Sequence, residues 1–148
     1  MNFFGLLEVS GSALTAERAR AEVVVANMAN AETTRTAEGG PYRRQLVVFR
    51  SDHVPRFPLM LASFQSEPRP NLGQGVRVSQ VLSDNTAAVK RFQPGHPDAD
   101  AQGYVSYPAI NPVEEMTDLL GAVRSYELNA SAIQATKNML QQALDILR

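Results

Sequence analysis

The sequence predicts a mainly α chain with a small β element: long N- and C-terminal helices paired as a coiled coil, and a β-rich middle with extended loops. Three observations predict it. Apolar residues recur at alternating steps of three and four from Met116 to Leu147. A second stripe runs through residues 3–31. Between them, residues 32–110 show no helical period and hold all the prolines except Pro112. The chain therefore divides into an N-terminal coiled-coil helix (1–31), a β-rich middle with extended loops (32–110) and a C-terminal coiled-coil helix (111–148).

The first helix carries its stripe on Leu7, Leu14, Ala21, Val24 and Met28, with Ala31 closing the series. Those spacings keep one face. Arg18 and Glu22 stand four apart and pair weakly on the wet side. Gly11 costs about 1 kcal/mol relative to Ala. It reads either as a close approach by a neighbour or as a break before the main helix. The β-branched run Val23-Val24-Val25 lowers helix propensity, so this helix is weak in isolation. Asn27 and Asn30 compete with helical backbone bonds and mark its C-terminal end. The other reading makes them a buried polar pair that fixes register between packed helices.

In the middle, Tyr42 to Arg50 reads as a strand centred on Leu46-Val47-Val48-Phe49. Gly75 to Leu82 reads as a second, Ser83-Asp84-Asn85 as a turn, and Ala87 to Phe92 as a returning third. Pro55, Pro58, Pro68 and Pro70 make the intervening stretch a long irregular loop.

The C-terminal helix has the strongest signal. Asn111 is its N-cap, Pro112 takes the first helical position, and Glu114 completes a capping box. Glu114, Glu115 and Asp118 place negative charge at the positive end of the helix dipole. The stripe then reads Met116, Leu119, Val123, Tyr126, Ala130, Ile133, Lys137, Leu140, Leu144 and Leu147. Only Lys137 is not apolar; it either snorkels to water or pairs with an acid of another subunit. At 1.5 Å per residue this helix runs roughly 50 Å, beyond the ~30 Å width of a small domain. The surplus seam must find other chains. Until it does, the ends are expected to be loosely ordered, because fixing backbone costs about 1–2 kcal/mol per residue.

Composition excludes several functions. The 148 residues carry 14 Lys+Arg against 15 Asp+Glu, a net charge of -1, which argues against a nucleic-acid binder working by bulk charge. Residues 35–91 hold nine bases and four acids, and the remainder five and eleven. That asymmetry is either a scattered solvated surface or complementarity between the middles and ends of neighbouring subunits. Without Cys there is no disulfide, zinc–thiolate or cysteine chemistry. No run reaches the ~20 apolar residues of a membrane span. The apolar N-terminus lacks the basic start of a cleaved signal and is ended by Glu8.

Candidate chemical motifs have bland explanations. Asp98, Asp100, Gln102 and Gly103 match the first half of a calcium loop, but the twelfth position is Ala109 rather than Glu. The Asp side chains are better read as turning a Pro-rich loop through backbone N–H groups. Ser10-Gly11-Ser12 sits in a helical pattern, not a nucleophile elbow. Glu38-Gly39-Gly40-Pro41 lacks the Lys and Ser/Thr of a phosphate loop. No catalytic, metal or cofactor residues are assigned.

The segment Asn27-Met28-Ala29-Asn30-Ala31-Glu32-Thr33-Thr34 resembles the Ala-Asn-x-x-Thr signature closing the N-terminal helix of bacterial flagellar rod and hook axial proteins. Further segments resemble the proximal-rod members of that family. They are Thr34 to Arg44, His96-Pro97-Asp98-Ala99-Asp100 with Gly103-Tyr104-Val105, and Tyr107-Pro108 through Asn111-Pro112-Val113-Glu114-Glu115-Met116. The resemblance implies a structural subunit of the proximal rod, assembling through terminal helices into a tubular drive shaft in the periplasm. It implies passage through the flagellar type III export apparatus without signal cleavage. Implied partners are copies of the chain, other proximal and distal rod proteins, the rod–export gate junction and the surrounding rings, with no nucleic acid and no cofactor. Another axial subunit, a coiled-coil adaptor, or an enzyme acting on peptidoglycan are the alternatives; the last would need an acidic cleft that no visible constellation supplies. The expected assembly interface is the two stripes, together with Asn27 and Asn30.

Overall fold

The computed structural model describes residues 3–51 and 75–146. The proline-rich loop read over 52–74 and the last seam residue, Leu147, lie outside the described residues. Helix α1 spans Phe3–Ala29 and helix α2 spans Pro112–Ile146. Strands β1 (Gln45–Ser51) and β2 (Val76–Ser83) form one antiparallel pair, and β3 (Val89–Phe92) and β4 (Tyr104–Tyr107) a second. Among the described residues, no helix is long and apolar enough to cross a membrane.

Helix α1 runs through Gly11 without a break, and a Cβ at Gly11 would meet nothing within 4 Å. Arg18 and Glu22 pair at 2.9 Å on the solvent side. Helix α2 starts where Asn111 Oδ1 accepts the Val113 N–H at 3.1 Å, so the N-cap reading holds. The helices lie antiparallel: Asn27 meets Glu115, whereas Arg20, earlier in α1, meets Asp118, later in α2. At 1.5 Å per residue they measure about 40 and about 52 Å. Gln141–Ile146 are all exposed, because α2 outruns the described part of α1.

Strands β1 and β2 pack on α1. Their register runs from Gln45↔Ser83 to Ser51↔Val76, with an irregularity between Val48 and Phe49. At the return to the helix, Ser12 Oγ accepts the Val76 N–H at 3.0 Å. A Cβ on Gly75 would sit 2.6 Å from that oxygen, so a larger residue here would have to displace the Ser12 side chain.

The third predicted strand forms, but it does not return to β2. Asp84 Oδ1 accepts both the backbone N–H and the hydroxyl of Thr86, turning the chain away from the first sheet. β3 instead pairs with β4, in register Val89↔Tyr107 to Phe92↔Tyr104. Val105 and Tyr107 face inward, while Phe92 and Tyr104 make an exposed edge-to-face pair, centroids 5.4 Å apart. β4 has no counterpart in the sequence reading: four residues between Gly103 and Pro108 carry too little alternation to stand out. The loop between the strands is turned by Asp100, whose Oδ1 accepts the N–H groups of Gln102 and Tyr104 at 2.9 Å. Asp98 does something else: it accepts the Thr34 hydroxyl at 2.7 Å and lies 3.7 Å from Arg35, tying this loop to the turn after α1.

Candidate assembly interface

The junction of α1, β1 and α2 is built on a buried polar node. Asn27 sits on the last full turn of α1 with 1% exposure. Its amide Nδ2 donates to the Gln45 carbonyl at 2.9 Å and to Glu115 Oε2 at 3.0 Å. Its Oδ1 accepts the Gln45 N–H at 2.8 Å and the Tyr42 hydroxyl at 3.2 Å. Both donors and both lone pairs of the amide are thus engaged. The side chain pairs with Gln45 as a neighbouring strand would, and so closes the outer edge of β1 at its start.

Glu115 is equally buried, at 1%. Its other oxygen accepts the Arg44 Nε–H. Arg44 also reaches Asp118 Oδ2 at 3.6 Å, and Arg20 reaches Asp118 Oδ1 at 3.2 Å. The charges cancel locally, as buried ions require. A cleft of about 290 Å³ opens beside these groups, lined by Arg20, Val24, Asn27, Arg44, Glu115 and Asp118. Its ionic groups already hold one another, so the cleft is a joint between elements. Burial, and then the Glu115 charge, push the Tyr42 phenol above its ordinary pKa.

The sequence alone predicts Glu115 to be a first-turn capping charge. The structure corrects that: Glu114 stays exposed, and Glu115 turns inward to Arg44 and Asn27. Residues a few positions from an N-cap face different sides of the helix, so the choice between solvent and salt bridge depends on where β1 arrives.

Beyond the node, α1 is the only described element on which α2 packs. The buried positions of α2 are Glu115, Ala122 and Thr136, with Asp118, Ser125, Asn129 and Ala132 half-buried between them. This small and polar stripe lies about one residue, near 100°, around the helix from the predicted seam. Of that seam, Leu119, Ile133 and Leu140 are half-buried at the flank. Met116 (55% exposed), Val123, Tyr126, Ala130, Lys137 and Leu144 (64%) face outward. In α1, Val24 and Asn27 are buried and Leu7, Leu14, Ala21 and Met28 are half-buried, as is Asn30 just after it. The expected zipping of the two large-residue stripes is therefore not the contact within one chain. Small and polar side chains line the contact with α1, and the bulky stripe is left mostly exposed.

Two family models match the chain. Residues 7–35 match "Flagella basal body rod protein", and residues 101–146 match "Flagellar basal body rod FlgEFG protein C-terminal". The flagellar basal-body rod protein FlgC of Bacillus subtilis is 44% identical over 150 residues, covering 99% of each chain. That of Borreliella burgdorferi is 40% identical over 155 residues, covering 100% of this chain and 99% of its own. That of Salmonella typhimurium is 32% identical over 149 residues, covering 99% and 98%.

The chain belongs to the FlgC family of flagellar basal-body rod proteins.

It is a structural subunit of the basal-body rod, not an enzyme. The segments that carried the FlgC-family resemblance are those that meet in the fold. Asn30 Nδ2 donates to the Ala26 carbonyl, and its Oδ1 accepts the Thr33 hydroxyl, so Ala-Asn-x-x-Thr is the turn that ends α1. Thr33 O then accepts the Tyr42 N–H at 3.0 Å, bringing Tyr42 and Arg44 to the node. Asn27 and Asn30 thus divide the two readings of the sequence: Asn30 closes the helix, and Asn27 bonds across to α2.

Proposed function

We propose that the chain builds the proximal part of the rod by joining copies of itself and other rod subunits through the outward faces of its terminal helices. In this reading 1–31 and 111–148 are the assembly helices, and 32–110 is a β-rich middle packed outside them. The interface comprises the outward part of the stripe from Met116 to Leu147 of α2, flanked by the half-buried Leu7, Leu14, Ala21 and Met28 of α1 and by Asn30 just after it, whereas Val24 and Asn27 of the expected set are used up inside the chain. The distal rod protein and the rod–export gate junction are the neighbours at its ends. The finished tube transmits rotation in the periplasm, and the subunit reaches it through the flagellar type III export apparatus.

The observation that carries this reading is the outward stripe of α2. Burying one such side chain is worth about 1.5–3 kcal/mol. The single chain leaves roughly half or more of that gain unrealised at Met116, Leu120, Leu144 and Ile146, and a smaller part at Val123 and Tyr126. The overhang of Gln141–Ile146 adds surface that no other described element covers.

Leu144→Asp tests it. The residue is mostly exposed in the single chain, so the purified variant should keep its helical circular dichroism and its unfolding midpoint. In a strain lacking the native subunit, it should fail to support rods, because assembly would bury an unpaired carboxylate at a cost of several kcal/mol. Normal basal bodies in electron micrographs of that strain would refute the assignment.

A further inference from the structure

The seam between α1 and α2 carries little axial information beyond its first two turns. The polar side chains of α2 that face α1 satisfy themselves on their own helix. Thr136 Oγ1 donates to the Ala132 carbonyl at 2.8 Å, and Asn129 Nδ2 to the Ser125 carbonyl at 2.8 Å. Ala122 and Ser125 stand one turn apart, so a slide of one turn exchanges one small side chain for another there, and Ala132 lies two turns beyond Ser125. Leu119, Ile133 and Leu140, one position on from the buried stripe, are only half-buried. Among the described residues, the side-chain hydrogen bonds between the helices are Asn27–Glu115 and Arg20–Asp118, both at one end. Of these, only Asn27–Glu115 is fully buried, and it is clamped from a third element by Arg44.

We propose that Asn27, Glu115 and Arg44 are the register lock of the helix pair: positioning residues that fix how far α2 sits along α1. A slide of one turn that brings Ser125 to the place of Ala122 would keep the stripe on α1 but would strip Glu115 of both partners, break Arg20–Asp118 and set the shorter Asp118 opposite Asn27. An unpaired buried carboxylate is far costlier than exchanging Ala122 for Ser125 in the same place. The lock also sets which part of α2 overhangs, and hence what the assembly surface presents. The proposal concerns the fold of one chain and stands apart from the assembly reading; a subunit that never polymerises still tests it.

The chain has no cysteine, so an introduced pair reports register without interference. Ala16 and Ala122 are both buried and lie one turn beyond Arg20–Asp118 on their respective helices. Full-length chains carrying Ala16→Cys with either Ala122→Cys or Ser125→Cys are oxidised under dilute, monomeric conditions, and the rates of intramolecular disulfide formation are compared. With the lock intact, the 16/122 pair should close faster. Glu115→Ala should raise the 16/125 rate relative to 16/122 by about tenfold or more, the ratio for a shift of one decade in population. Thr136→Ala, at an equally buried but self-bonded site, should leave the ratio within about twofold, well under that decade. If Glu115→Ala loses helical circular dichroism, the same comparison is made with Glu115→Gln, which should move the ratio in the same direction. A ratio unmoved by the folded Glu115 variant, or moved as much by Thr136→Ala, overturns the lock.

Discussion

Replacing Asn27 with alanine should remove a large share of the chain's stability. Four hydrogen bonds disappear: two with the Gln45 backbone, one with Glu115 and one with Tyr42. Tyr42 is half-buried and finds water, so its loss counts little. The Gln45 N–H and carbonyl and the Glu115 oxygen are less free to do so. Each buried group left without a partner costs about 1–3 kcal/mol. Allowing for water entering the new space beside the cleft, we expect a loss of about 3–5 kcal/mol. Small domains hold about 5–15 kcal/mol in total. Urea unfolding followed by circular dichroism at 222 nm, with the slope unchanged, measures the difference. Asn27→Asp adds a second arm. It keeps an acceptor for the Gln45 N–H but sets a carboxylate against Glu115 and the Gln45 carbonyl. At neutral pH it should be at least as damaging as alanine, and it should recover as acid neutralises it. A loss below about 1 kcal/mol for Asn27→Ala, the worth of one ordinary hydrogen bond, would refute the node as the joint of the fold.

Further outcomes follow from the same structure. Gly75→Ala should destabilise by about 1–3 kcal/mol, the usual cost of overpacking, because its Cβ would stand 2.6 Å from Ser12 Oγ. Adding Ser12→Ala should restore only part of that, since the Val76 N–H loses its acceptor; urea midpoints of the single and double variants decide it. Hydrogen bonds from Thr86 hold the Asp84 carboxyl, and from Tyr104 and Gln102 the Asp100 carboxyl, below the ordinary carboxylate pKa. Folded pKa values below unfolded ones mean stability that is present above about pH 4 and lost as acid protonates the native carboxylates. Asp100→Asn should flatten that acid limb in a pH series of thermal melts, and an unchanged limb would contradict the assignment. In the dilute monomer, amide exchange should be slowest in α2 beside the node, around Met116–Gly121, and fast over Lys137–Ile146. Uniform protection along the helix would count against the small-residue seam.

Much of the architecture was legible because it depends on near neighbours in sequence. The Asn111 cap, the presence of a helix at each end, the end of α1 at Asn30 and the pairing of Arg18 with Glu22 are governed by contacts within a few residues. Strand β4 was not legible, because a four-residue element gains its identity from the partner it finds. Asp98 and Glu115 depart from the local expectation for a related reason. Local sequence places each in its own loop or helix end, but each is held by a residue more than 60 positions away, Thr34 and Arg44 respectively.

The stripe on α2 separates the two kinds of knowledge most clearly. Periodicity determined that a long helix exists there and that one of its faces is rich in large apolar residues. It could not determine what that face meets, because two adjacent stripes of one helix differ by a rotation of only one residue. The tertiary fold chose the small, polar stripe for α1, since Arg44 and Asn27 capture Glu115 and turn the helix that way. A charge buried with its partners outweighs the rotation that would hide Met116 and Val123, and that balance exists only once β1 has brought Arg44 into place.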